Sequence, residues 1–228
     1  MINIVSFSGG KDSTAMLLMM LEKNIKIDRV ICIDTTKEFP AMYRHIEKVE
    51  SMILPLKIEI VKFNFDYLFG EHIVKTRNGS KNNIGYGWPS FLNRWCTTQK
   101  TQLSKRLLKT EKNYIKNIGI ASDEAGRIGK NLKGENLQYS LVEWGVTKKQ
   151  ALEYCYSKGL DWEGLYEKFH RVSCWCCPLS RIGELKVLYN EFPNLWEELQ
   201  QMDKKSFRKF RNDYSVDDLS ERFANENL

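Results

Sequence analysis

Ile2-Asn3-Ile4-Val5-Ser6-Phe7-Ser8-Gly9-Gly10-Lys11-Asp12-Ser13-Thr14-Ala15-Met16-Leu17-Leu18-Met19-Met20-Leu21 is the stretch that decides how this chain is read. The apolar run Ile2, Ile4, Val5 and Phe7 breaks into a glycine turn and then into a helix-forming segment, the order strand, turn, helix. Two adjacent glycines permit backbone conformations closed to other residues and let a ligand approach the main chain. The first amides of the following helix have no partner inside it, so they face the turn as a nest for phosphate. Lys11 adds a positive charge, Ser8 and Ser13 add hydroxyls, and Asp12 or Ser13 can cap the helix, Asp12 also being able to help hold Mg²⁺. The stretch fits neither Gly-x-x-x-x-Gly-Lys-[Ser/Thr] nor Gly-x-Gly-x-x-Gly.

Outward from this turn the pattern repeats. Arg29 to Asp34 and Lys57 to Phe63 are short apolar runs, separated by helical spacing from Pro40 to Leu54 (Met42, Ile46, Val49, Ile53). Tyr114 to Ala121 gives a further strand after a basic helix over Thr98 to Lys109. Strands alternating with helices predict right-handed crossovers and an α/β fold with a doubly wound, mostly parallel sheet and flanking helices. Ligands of such sheets bind at the carboxyl edge of the strands. Asp34 ends its strand there, as either a ligand-side carboxylate or a turn former. Ser122-Asp123-Glu124-Ala125-Gly126-Arg127 follows another strand, and Asp123, Glu124 and Arg127 suit Mg²⁺ and phosphate. A capped helix start with an exposed ion pair is the alternative. Glu71 to Asn93 reads as a long basic and aromatic loop, suited to a substrate lid or to a mobile surface segment.

The remaining sequence predicts helices over Lys148 to Lys158, Asp161 to His170, Ile182 to Glu191, Asn194 to Met202 and Ser206 to Tyr214. The expected division is a nucleotide-binding core, 1–145, and a helical cysteine-containing C-terminal region, 146–228. At 228 residues the chain can bury a sizeable core, and its formal charge of +6 suits an anionic ligand without demanding nucleic acid. No run is long enough to span a bilayer, and the first strand begins at Ile2, so a cytoplasmic location without membrane association is expected. The basic segments Lys100 to Lys116 and Lys204 to Arg211 are solvated helix faces or contacts to nucleic acid.

Six cysteines in such a chain suit metal ligands, reactive thiols or core positions better than disulfides. Cys174, Cys176 and Cys177 fall within four residues, and Cys96 can supply a fourth thiolate. Four thiolates suit a [4Fe-4S] cluster or, as the alternative, structural Zn²⁺. A metal-free group of thiols fits the same residues. Cys155 lies mid-helix as a structural residue, and His45, His72 and His170 are too scattered to form a ligand set.

The Ser8 to Ser13 loop resembles the pyrophosphate-binding loop (PP-loop) of N-type ATP pyrophosphatases. Together with Ile33-Asp34-Thr35, Phe39-Pro40, Tyr43, Gly119-Ile120 through Asp123-Glu124 to Arg127, and Val142-Glu143-Trp144-Gly145, it makes the sequence similar to the phosphoadenosine phosphosulfate (PAPS) reductase family over about residues 1–185. That resemblance implies an adenine nucleotide alpha-hydrolase fold, with Ser8, Gly9, Gly10, Lys11, Asp12 and Ser13 on phosphate, Asp34 near the ribose or adenine, and Arg127 on the substrate's anionic groups. It also implies a [4Fe-4S] cluster, as in the adenylyl-sulfate reductases of the family. Sulfonucleotide reductases use the cysteine of a Glu-Cys-Gly-[Ile/Leu]-His segment, whereas these residues end Ser220-Glu221-Arg222-Phe223-Ala224-Asn225-Glu226-Asn227-Leu228. The expected activity is therefore cleavage of ATP, with Mg²⁺, between the α and β phosphates to adenylate an acceptor, coupled to sulfur transfer, with Lys11, Asp12 and Arg127 catalytic. Reduction of adenylyl sulfate or its 3′-phosphorylated form to sulfite is the alternative; a non-catalytic nucleotide- or nucleic-acid-binding module with zinc is another. Expected partners are an adenine nucleotide, a sulfur donor protein or thioredoxin-like reductant, and a nucleic-acid acceptor, with self-association left open.

Overall fold

A computed structural model describes residues 1–75, 82–130 and 136–226. In chain order the elements are β1 (Ile2–Phe7), α1 (Lys11–Glu22), β2 (Arg29–Asp34), α2 (Pro40–Met52), β3 (Ile58–Lys62), α3 (Phe65–Gly70), β4 (Ile73–Lys75), β5 (Asn82–Ile84) and α4 (Trp95–Leu107). They continue with β6 (Tyr114–Ile118), a 3₁₀ helix over Ser122–Lys130, β7 (Leu137–Gln138), α5 (Ser140–Glu143) and α6 (Lys148–Ser157). The last are a 3₁₀ turn over Trp162–Gly164, α7 (Leu165–Lys168), α8 (Ile182–Glu191), α9 (Pro193–Lys205) and α10 (Val216–Asn225).

The chain packs as two compact units that interleave along the sequence. The first comprises 1–34, 38–62 and 103–166, the second 35–37, 63–102 and 167–228. Residues 146–166 of the expected C-terminal region thus fall in the first unit, and 63–102 of the expected core fall in the second.

The first unit holds a five-stranded sheet in the order β3-β2-β1-β6-β7, with every neighbouring pair parallel. Ile4, Val5 and Phe7 of β1 and Val30, Ile31 and Cys32 of β2 are buried on consecutive or near-consecutive positions, as strands covered on both faces require. α1 is buried from Ser13 to Leu18 and again at Met20, so its sequence is apolar almost all round. α2 opens on Pro40, whose fixed φ suits a first helical position, and buries Ala41, Met42, His45, Ile46 and Val49. Pairing of Phe7 with Cys32 brings the end of β1, and the turn after it, to the edge where β2 ends at Asp34.

The second unit centres on an aromatic cluster: Phe65 and Phe69 of α3 pack against Trp95 and Trp88, and Phe210 meets Trp88 edge to face. Both buried indoles are satisfied, Trp88 Nε1 donating to Asp203 at 2.7 Å and Trp95 Nε1 to the Gly87 carbonyl at 2.9 Å. Three expectations change. The stretch 71–93 is not one open loop: β4 and β5 pair as an antiparallel hairpin within it, while its residues 76–81 (Arg77, Asn78-Gly79-Ser80 and Lys81 among those singled out) lie outside the described residues. Ser206 to Tyr214 forms bends rather than a helix, and α10 follows instead, started by a capping box between Ser215 and Asp218. The helix expected over Asp161 to His170 is broken into two short turns because Trp162 and Glu163 take φ of 51° and 55°. Among the described residues no helix is long and apolar enough to cross a membrane.

Candidate functional site

The turn Ser8-Gly9-Gly10 links β1 to α1 in the first unit. Gly9 has φ +75°, and a Cβ there would lie 2.6 Å from Met42 Sδ, so backbone shape and packing both demand glycine. Gly10 is the N-cap of α1 and brings no side chain to cap the helix. Ser13 supplies part of the bonding instead: its hydroxyl accepts from the Ser8 N–H at 3.1 Å and donates to the Gly10 carbonyl at 3.0 Å. Ser13 is buried and structural, whereas Ser8 is exposed. The Lys11 ammonium lies 3.2 Å from Asp12 Oδ1, an atom sealed from solvent with no well-formed hydrogen bond. Burial pushes the Asp12 carboxyl above its ordinary value; Lys11 pulls it back, and the charges of Glu124 and Asp123 push it up again.

Asp123 and Glu124 therefore stand within electrostatic reach of the loop, in the 3₁₀ helix after β6. Each also has local cationic or amide partners. Asp123 accepts from the Lys148 N–H at 3.0 Å at the start of α6, and Glu124 pairs with Arg127 at 2.6 Å and with the Lys148 ammonium at 3.5 Å. Burial alone would raise the Glu124 carboxyl, but Arg127 and Lys148 bring it below its usual value. Lys148 had no signal in the sequence. Asp34 is 3 % exposed at the end of β2 and accepts from the Tyr43 hydroxyl at 3.0 Å. Burial, then the adjoining Asp34 charge, raise the Tyr43 phenol well above its ordinary value.

A second ring of residues clasps the loop, and spacing did not single it out for this role. Trp162 Nε1 donates to the Gly9 carbonyl at 2.8 Å, and the Tyr166 hydroxyl accepts from the Lys11 N–H at 2.9 Å. The Cys155 thiol lies 3.5 Å from the Lys11 carbonyl, is fully buried, and is pushed up to about 12, so it is an inert brace. His45 Nε2 lies 3.0 Å from Thr14 Oγ1, and its ring stacks on Trp162 at 4.2 Å. Burial, helped by Lys48 and opposed by Asp161, lowers the imidazole to about 4. An unfolded chain would take up the proton near 6.5, so the stability this neutral histidine confers is complete above about pH 6.5 and is lost as pH falls toward 4. The loss should approach ~3 kcal/mol, and His45→Gln should remove that component from the pH dependence of urea unfolding.

The cysteines of the chain are thiols with no disulfide between them. In the second unit Cys174 to Cys177 form a turn closed by the Cys177 N–H donating to the Cys174 carbonyl at 3.3 Å. Cys174 Sγ lies 3.2 Å from Thr35 Oγ1, and Cys176 is buried. Burial raises the Cys177 thiol; Cys96 raises it further, while the Leu179 amide, Arg171 and Arg94 lower it. Cys96 and Cys177 thus stand within electrostatic reach of each other, with two guanidinium groups that suit an anionic occupant. Among the described residues, however, no three metal-ligating side chains are gathered at one point. Cys96, Cys174, Cys176 and Cys177 are the soft donors that would hold a cluster or zinc. A cavity of about 630 Å³ adjoins the turn, walled by Trp88, Phe91, Leu92, Pro178, Leu179 and Arg208.

The Ser8–Ser13 loop combines a glycine cradle at a helix start, an exposed hydroxyl, an ammonium and a carboxylate oxygen without a hydrogen bond, groups suited to an anion and a cation. Comparisons with known proteins bear on the same residues. An uncharacterized protein of Methanocaldococcus jannaschii is 29% identical over 213 residues, 87% of this chain, and the chain spans only 41% of that relative's length. A structure of the U34-tRNA thiolase NcsA from Methanococcus maripaludis with its [4Fe-4S] cluster aligns over 99% of this chain and 71% of that one, at 17% identity and a TM-score of 0.46. The sequence profile of the phosphoadenosine phosphosulfate reductase domain matches residues 2–180, from the first residue of β1 past the last of the clustered cysteines, and the chain belongs to that family.

Proposed function

We propose that the protein is an enzyme that binds ATP with Mg²⁺ at the Ser8–Ser13 loop and cleaves it between the α and β phosphates, adenylating an acceptor that then receives sulfur. The observation that carries this reading is the glycine-built junction of β1 and α1, where Gly10 leaves the helix start without a side-chain cap and Lys11 stands beside it. An acceptor oxygen attacks the α-phosphorus, the bond to the bridging oxygen breaks, and pyrophosphate departs. The loop amides and Lys11 hold the charge that develops on the leaving group. Asp12, with Asp123 and Glu124 in its electrostatic neighbourhood, would hold Mg²⁺, which supplies charge neutralisation on the phosphates. Buried Asp34, held by Tyr43 at the edge of β2, is assigned to the nucleoside. Arg127, engaged by Glu124, is assigned to an anionic group only if that ion pair opens.

The sulfur-transfer half rests on Cys96 and the Cys174–Cys177 turn, the second unit's concentration of thiols. A sulfur nucleophile would displace AMP from the adenylated acceptor. Family membership and the same thiols also favour a second reading, reduction of an adenylyl sulfate. Anaerobically purified protein incubated with labelled ATP, Mg²⁺ and candidate acceptors, nucleic acid included, should release AMP and pyrophosphate. Sulfite release from adenylyl sulfate or its 3′-phosphorylated form when a thiol reductant such as thioredoxin supplies the two electrons, with neither AMP nor pyrophosphate from ATP, would replace the first reading by the second.

A further inference from the structure

The segment that clasps the phosphate loop does more than brace it. The Lys11 N–H is the leading amide of α1, and it donates to the Tyr166 hydroxyl at 2.9 Å. That same oxygen lies 3.4 Å from the point where a side chain on Gly10 would begin. An oxygen accepting from the first amide of a helix, above a bare glycine, stands where a phosphate oxygen would stand. The ammonium of Lys11 is turned inward as well, 3.2 Å from Asp12 and 5.6 Å from the centre of the Tyr166 ring, with its side chain only 15% exposed. Both donors of Lys11, main chain and side chain, are engaged by groups of the protein itself.

We propose that Tyr166 is an internal competitor for the phosphate: its hydroxyl holds the Lys11 amide, yields it to the anionic tail of the nucleotide, and retakes it as pyrophosphate leaves. This rests on the reading of Ser8–Ser13 as a phosphate site. Trp162, Glu163 and Gly164, which lead into Tyr166, carry φ of 51°, 55° and 78° in succession, a left-handed conformation that costs the two non-glycine residues energy. Trp162 is fixed by its bond to the Gly9 carbonyl and Glu163 by Arg44, so the displacement falls to the Tyr166 side chain. Competition of this kind weakens uniform binding of substrate and product, which does not assist the chemical step, and spares the enzyme a tightly held product. Tyr166 is thus a positioning residue of the cycle that acts through Lys11.

The test is titration calorimetry of the full chain with magnesium pyrophosphate. Tyr166→Phe keeps the edge-to-face packing on Trp162, at 4.8 Å between centroids, and removes only the oxygen. One neutral hydrogen bond corresponds to about a fivefold change in affinity, so this variant should bind pyrophosphate about fivefold tighter and release it more slowly. Tyr166→Leu, which also lacks the hydroxyl, should tighten binding in the same direction and serves if the phenylalanine variant melts differently from the parent. Equal or weaker binding in either well-folded variant, with the parent binding normally, overturns the competitor role. A parent protein that binds neither pyrophosphate nor ATP overturns the phosphate-site reading itself, and the competitor with it.

Discussion

Lys11→Ala is expected to slow release of AMP and pyrophosphate from ATP by ~10²- to 10³-fold, the usual cost of removing one preorganised donor to a developing anion. In the proposed reaction the side chain has two tasks, and the substitution removes both. It takes the ammonium from the leaving group, and it takes the counter-charge from Asp12, whose Oδ1 lies 3.2 Å away and is shut off from solvent. A lone buried carboxylate is costly, so the melting temperature should fall as well. Combining the change with Asp12→Asn separates the effects: the neutral amide needs no counter-charge, so stability should recover while turnover stays low. Lys11→Ala protein that retains turnover within about threefold of the parent would remove Lys11 from the reaction.

The largest structural effect is expected at Gly119, the residue directly after β6. A Cβ there would stand 2.7 Å from both the Cα and the N of Ser13 and 2.9 Å from the carbonyl carbon of Asp12. All three are backbone atoms at the start of α1, and no rotamer change can move them. Either β6 or the helix start must shift, and Gly119→Ala should cost about 3 kcal/mol, a fall in melting temperature on the order of 10 °C. Pyrophosphate affinity should fall with it, since the displaced atoms belong to the anion cradle. Gly126→Ala is the control: nothing lies within 4 Å of its new methyl, and its melt should match the parent's. Equal melting of the two variants would mean that the helix start is softer than its packing indicates.

The parallel sheet was legible because its strands carry apolar side chains on successive positions. β1 and β2 match the bounds read from Ile2 to Phe7 and Arg29 to Asp34. β7 was missed because two residues are too few to show a period. Ser206 to Tyr214 misled because Phe207 and Phe210 sit at helical spacing, yet Phe210 is spent on Trp88 in a bend. At the site, Gly9 and Lys11 declare themselves locally, whereas Trp162 and Tyr166 reach the loop from more than 150 residues away. No spacing rule connects positions so far apart. His45 was set aside as a scattered histidine, and its place beside Thr14 depends on α2 packing over α1, which sequence pattern alone does not fix.

The interleaving of the two units constrains how the protein can be made. The chain passes from one unit to the other at 34/35, 37/38, 62/63, 102/103 and 166/167, so no single cut yields either unit whole. On the ribosome the central strand β1 is made about a hundred residues before its neighbour β6 and about 150 before the Trp162–Tyr166 clasp. The nascent sheet must therefore wait with one flank of β1 uncovered, a state in which chaperone contact is an advantage. A fragment ending near residue 110, before β6, would be released in that same unfinished form and should be recovered in the insoluble fraction.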